Sequence, residues 1–245
     1  MGADKPATEN AQLDWLFFSA MEGSPECAFT LGLLFENGIG VDRSAEKAAH
    51  WYLKAADKGM AAAQYAIGRL LEEGNGIGKS SLKAYRYQLL AAKQGMAMAQ
   101  YRVGQHLLFG AGTAPDPLQA RIWLEKAASA NVAGAKSLLA NCLDEGVFGQ
   151  REPANSIPLL EELVQAGDAN AMFNLAGKLR DGVDCSRNDK RALELYLSAA
   201  ERGSHAAALS LSMIFANGDL GQRPDKTLAR KYADLCDSLL QKQTS

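Results

Sequence analysis

The chain has 245 residues, 47% hydrophobic and 22% charged, with a formal net charge of −2. That length holds one or two ordinary domains, and the balance gives no basic surface for nucleic acid. Its apolar stretches are short and broken by charge, so none is expected to insert into a membrane.

The opening residues Met1-Gly2-Ala3-Asp4-Lys5-Pro6 lack an apolar core, so an export signal is absent from this chain, and residues 1–10 are expected to form a flexible tail. Met1-Gly2 also fits a start left after an export signal was removed. The expected location is therefore the periplasm, with the cytoplasm as the alternative. Pro6 stands where myristoylation needs Ser or Thr.

From residue 11 the chain obeys a ruler of 36. Gly38, Gly74, Gly110, Gly146, Gly182 and Gly218 recur at that interval without insertion. Leu31, Ile67, Val103, Leu139, Leu175 and Leu211 do the same, each followed by Gly, Ala or Ser. A third column reads Gly23, Gly59, Gly95, Gly167, Gly203, with Asn131 in its one gap. Asn is the residue that best follows Gly into the left-handed conformation. A fixed period of this size is the mark of stacked helical hairpins.

Within the first unit, Cys27, Phe29, Leu31, Leu34 and Phe35 are spaced as one face of a helix ending at Gly38. Ser44 opens the second helix, and its column continues Ser80, Asp116, Glu152 and Asn188, four of the five being strong N-caps worth ~1 kcal/mol each. Ala48, Trp51, Tyr52, Ala55 and Ala56 form its apolar side, and Gly59 ends it. Residues 11–22 repeat only the second helix of this pattern, since Trp15 lies 36 before Trp51. The last helix is expected to close the stack at about Gln241, leaving a short tail over 242–245. The expectation is all-α: a right-handed α/α solenoid of six 36-residue hairpins and an N-terminal half-repeat helix, one domain over residues 11–241.

Residues 31–41, Leu-Gly-Leu-Leu-Phe-Glu-Asn-Gly-Ile-Gly-Val, and residues 47–59, Lys-Ala-Ala-His-Trp-Tyr-Leu-Lys-Ala-Ala-Asp-Lys-Gly, resemble a near-consensus Sel-one-like repeat, a relative of the tetratricopeptide repeat. Repeats four and six depart most. Phe148, Asp184 and Leu220 replace the second loop glycine kept at Gly40, Gly76 and Gly112. Leu163-Val164 replaces the Ala-Ala pair of the other second helices, bulk that opposes close helix contact. The resemblance implies an adaptor scaffold rather than an enzyme.

Tests for chemistry give little. His50, His106 and His205 make no metal motif, and no metal or other cofactor is expected. Gly78-Lys79-Ser80 lacks the upstream glycine of a phosphate loop. Cys27 and Cys236 occupy columns of alanine and read as core fillers. The regular cysteine pairs of the family members named for a β-lactam-related activity are missing. His106 and Cys142 share a column in neighbouring repeats, the one nucleophile–base pairing available to a hydrolase.

In tetratricopeptide-like stacks the first helix of each hairpin lines the concave face. By resemblance, that face holds a protein partner on Arg69, Glu72, Glu73, Gln105, Leu108, Phe109, Asn141, Asp144, Glu145 and Arg180. Leu108 and Phe109 replace the charges at Glu72-Glu73 and Asp144-Glu145, which places an apolar spot between two acidic ones. A small chain made only of such repeats resembles the immunity proteins that neutralise lipase toxins of type VI secretion systems. An adaptor in envelope assembly or signalling is the alternative within binding.

Overall fold

The computed structural model describes residues 7–244; six of the ten residues assigned to the N-terminal tail lie outside them. The described residues form thirteen α-helices and no strand: α1 (Ala7–Met21), α2 (Pro25–Asn37), α3 (Ala45–Asp57), α4 (Ala61–Glu73), α5 (Ser81–Lys93), α6 (Ala97–Phe109), α7 (Pro117–Ser129), α8 (Ala133–Glu145), α9 (Pro153–Gln165), α10 (Ala169–Asp181), α11 (Asp189–Glu201), α12 (His205–Asn217) and α13 (Lys226–Thr244). The chain falls into two compact units, one ending at Val132 and the other beginning at Ala133.

Local chemistry sets the helix ends. Ser44, Ser80, Asp116 and Asn188 each accept a hydrogen bond from the backbone N–H three residues on, supplying one of the orphan donors of the first turn. Glu152 makes no such bond. The six glycines of the first column all adopt positive φ, and Asn131 does so at 62°, as its place in the third column requires.

In the first unit, α1 packs on α2, and hairpins α2/α3, α4/α5 and α6/α7 follow, with α3 against α4 and α5 against α6. Its cores centre on Leu31, Trp51, Tyr52 and Ile67, and on Ala91, Val103, Leu107 and Ala120. The helices approach closely because the residue after the aliphatic column is small. A Cβ at Gly32 would stand 2.5 Å from the Tyr52 ring.

A second glycine joins repeats within this unit. Gly112 has φ +77°, and a Cβ on it would lie 2.2 Å from the Ser81 carbonyl oxygen at the start of α5. Gly76 sits equally close to Ala45, at the start of α3. Gly40, in the first hairpin, has open space there.

In the second unit, hairpins α8/α9, α10/α11 and α12/α13 surround one core of Leu160, Leu163, Leu175, Tyr196 and Leu211. The bulk at Leu163 is accommodated: it is 2% exposed, in the same core as Ala140, and α8 and α9 pack as a hairpin. The last helix runs to Thr244, past the expected stop at Gln241, and Tyr232 on it stacks on Phe215 at 5.6 Å.

Candidate protein-binding site

The ten expected residues divide between the units. In the first, Arg69, Glu72 and Glu73 lie on α4, and Gln105, Leu108 and Phe109 on α6. Phe109 is 70% exposed, the largest apolar exposure in the chain's described part, at the last turn of α6 before Gly110. Leu108 departs from expectation. It is half-buried and packs on the core of Val103 and Leu107, so the apolar spot is Phe109 alone. Beside Phe109 opens a cavity of about 350 Å³ lined also by Glu72, Lys79, Arg102, Gln105 and His106.

Two of the acids flanking the apolar spot, Glu72 and Asp144, are engaged within the protein. His106 presents Nε2 to a Glu72 carboxylate oxygen at 2.7 Å and Nδ1 to the Ala111 carbonyl at 2.5 Å. Arg102 reaches the other Glu72 oxygen at 4.0 Å and Gln105 at 3.3 Å. Arg69 bonds Glu36 and, at 3.2 Å, Glu73. Burial opposes the Arg69 charge, but the hydrogen bond and field of Glu36, with Glu73, hold its pKa above the usual arginine value. Glu36 also accepts a 2.6 Å hydrogen bond from Tyr52, whose phenol is pushed well up by burial and then by that bond. Glu72 is thus tied to His106 and Arg102, and Glu72→Lys would cost stability as well as change association.

The second unit repeats the pattern. Lys178 donates to Asp144 at 2.8 Å, and Ser156 donates to the same oxygen at 2.6 Å. Arg180 pairs with Asp181 at 2.6 and 3.0 Å. Asn141 and Glu145 are exposed. Asp144 is therefore tied into α9 and α10 rather than presented to solvent.

One rule covers these pairs. An acid near the end of one first helix is answered from the next first helix: Glu36 by Arg69, Glu72 by His106, Asp144 by Lys178. The signal was in the sequence. The column of Leu34 and Leu70 turns to His106 and Lys178 immediately after the acids at 72 and 144, and stays apolar at Cys142 after Leu108. Gln88 belongs to the same account. It takes the column of Tyr52, is fully buried, and its amide has no partner among the described residues, so Glu72 has no tyrosine to answer it.

The two residues of the hydrolase pairing, His106 and Cys142, lie in different units. Both ring nitrogens of His106 are already engaged, Nε2 with Glu72 and Nδ1 with the Ala111 carbonyl. The Cys142 thiol is buried in the other unit, and burial, with the Glu145 charge, pushes its pKa to about 11. Among the described residues no group of three or more His, Cys, Asp or Glu is placed to hold a metal ion, and no helix is long and apolar enough to cross a membrane.

Helical hairpins of fixed length, glycine-capped and stacked through small residues, define an α-solenoid repeat scaffold of the kind used for protein–protein interaction. The Sel1 repeat model matches residues 25–60, 61–96, 97–132, 169–204 and 205–235, and the chain belongs to that family. It shares 27% identity and a TM-score of 0.85 with the structure of a protective antigen of uropathogenic Escherichia coli strains displaying an SLR fold. That likeness covers 92% of this chain and 48% of the antigen, so the chain spans about half the antigen's length. A Sel1 repeat protein from Oxalobacter formigenes is similar at 26% identity and a TM-score of 0.76, over 88% of each chain. An immunity protein from Pseudomonas aeruginosa shares the fold at 19% identity and a TM-score of 0.51, over 98% of this chain and 84% of that one. No curated protein matches the chain.

Proposed function

We propose that this chain is a non-enzymatic scaffold that holds a protein partner at Phe109 on the first-helix side of the array. The partner in this reading is a secreted lipase-type toxin, which the chain neutralises in the periplasm as an immunity protein. Phe109 carries the proposal: a large aromatic standing in water beside a polar-walled cavity, on a helix whose neighbouring charges are already paired. Exposed aromatics with a polar surround are what interface centres are made of. The P. aeruginosa protein of the same fold is an immunity protein, which supports the immunity part of this reading.

Affinity purification from the native host, followed by mass spectrometry, identifies the partner. Phe109→Ala should then weaken binding by about 2 kcal/mol, roughly 30-fold, with the melting temperature unchanged. Affinity equal to wild type would move the site away from α6. A captured partner belonging to envelope assembly, with no rescue of growth during lipase-toxin expression, would sink the immunity reading and leave the scaffold reading standing.

A further inference from the structure

Away from Phe109, the second helices of the first unit differ in what fills the space beside them. At α3 the filling is aromatic. Phe17 stands ring to ring with Trp51 at 5.8 Å and with Phe35 at 6.1 Å, and Lys54 lies over the Trp51 ring at 4.6 Å. Trp51 is left only 7% exposed. Phe17 comes from the inner arc of α1, whose other arc leaves Trp15, Phe18 and Met21 in water.

One repeat on, the columns of Phe17, Phe35, Trp51 and Lys54 read Leu53, Leu71, Tyr87 and Leu90. Every ring has become smaller and the cation is gone. In their place a cavity of about 530 Å³ opens beside α3 and α5, lined by Leu53, Leu71, Ile77, Tyr87 and Leu90. That volume lies within the roughly 300–1,000 Å³ of small-molecule sites. The polar groups at its α3 end already have partners. Asp57 accepts from Tyr87 at 3.2 Å, and Gln64 donates to the Ala56 carbonyl at 3.3 Å. Gln94 donates to Gln64 at 2.8 Å and to the Gly59 carbonyl at 2.9 Å. Two lining cations differ. Lys83 and Arg86 stand exposed on α5, a helix without an acid, and no ion pair among the described residues engages them. Repeat three returns to Trp123 with Lys126 over its ring at 4.6 Å, and the cavity beside it is lined by Asp116 and Lys93 together.

We propose that this cavity binds a medium-chain carboxylate, a single alkyl chain ending in an anion. Lys83 and Arg86 lie three residues apart, on one face of α5, and hold the carboxylate between them. The chain runs from there towards Leu90, about 10 Å along the helix, and buries its methylenes against Leu53 and Leu71. Asp57 does not oppose the anion. It ends α3 at the height of Lys93, a further turn beyond Leu90, and its carboxylate is bonded to Tyr87. An apolar body with two unpaired cations at one end is complementary to this class of molecule in both charge and length.

Calorimetry on the full chain tests this with octanoate, decanoate and dodecanoate, each below its micelle-forming concentration. One molecule should bind per chain, each added methylene tightening Kd about two- to fourfold until the cavity is full. Lys83→Gln/Arg86→Gln should weaken decanoate roughly tenfold or more and leave decanol unchanged, a split that a loss of folding would not produce. Leu53→Phe/Tyr87→Trp restores the rings of repeat one and should abolish binding of both ligands with the melting temperature held. If that filling costs the fold, the charge variant carries the test alone. Absence of saturable decanoate binding by wild type overturns the proposal, as does wild-type affinity in Lys83→Gln/Arg86→Gln or in a folded Leu53→Phe/Tyr87→Trp. Binding of wild type to phosphatidylglycerol vesicles but not to free decanoate would also overturn it and assign the groove to a lipid surface.

Discussion

Repeat three, in the first unit, and repeat four, which opens the second, have the same length and helix pattern but are stabilised differently. Repeat three follows the consensus. Its second helix is capped by Asp116, its loop docks on α5 through Gly112, and Ala127-Ala128 keeps the hairpin tight. Repeat four has no cap bond at Glu152, carries Pro158 inside its second helix, and places Phe148 and Leu163 where the first three repeats have Gly and Ala. Both large residues are nonetheless buried. The family model passes over residues 133–168, and the boundary between the compact units falls at their start. The comparison teaches that the 36-residue length is the invariant. Backbone docking through glycine holds repeat three, and side-chain bulk holds repeat four.

The sharpest way to break this view is to give repeat three the residue of repeat four. Gly112→Phe places a side chain 2.2 Å from the Ser81 carbonyl at a φ that L residues avoid, so the loss should exceed about 3 kcal/mol. Thermal and urea unfolding measure it, and an unchanged midpoint would show that the loop does not dock there. The reverse exchange in repeat four is somewhat milder. Leu163→Ala restores the consensus alanine yet should destabilise by about 2–4 kcal/mol, because the core has been built around the leucine. If it instead stabilised the chain, Leu163 would be strained bulk rather than a core member. The smallest contrast lies at the caps. Ser80→Ala should cost ~1 kcal/mol, while Glu152→Ala, which loses no cap bond, should cost a few tenths. Equal losses at the two positions would mean that cap hydrogen bonds do not distinguish the repeats.

Much of the fold was legible because its causes are local. The αL glycines, the N-caps and the alanine pairs each act within one hairpin, and repetition turned weak signals into columns. The site was legible only in part. Phe109 was found as an apolar residue in a charged column, but its neighbour Leu108 could not be told from it by type, since one residue along a helix is a turn of 100° and decides between core and solvent. The pairings of Glu72 with His106 and Asp144 with Lys178 were missed because each column was read down its own length, while the bonds run diagonally between columns.

The sequence by itself determined the helical hairpin, its 36-residue length, its caps and the family to which the chain belongs. Those depend on backbone conformations and helix faces that a short segment settles for itself. The tertiary structure decided which charges are spent inside the array, that Phe109 stands clear of it, and that α1 keeps an apolar arc in water. Those depend on how far one hairpin is displaced along its neighbour, a distance set by side-chain packing over the whole contact.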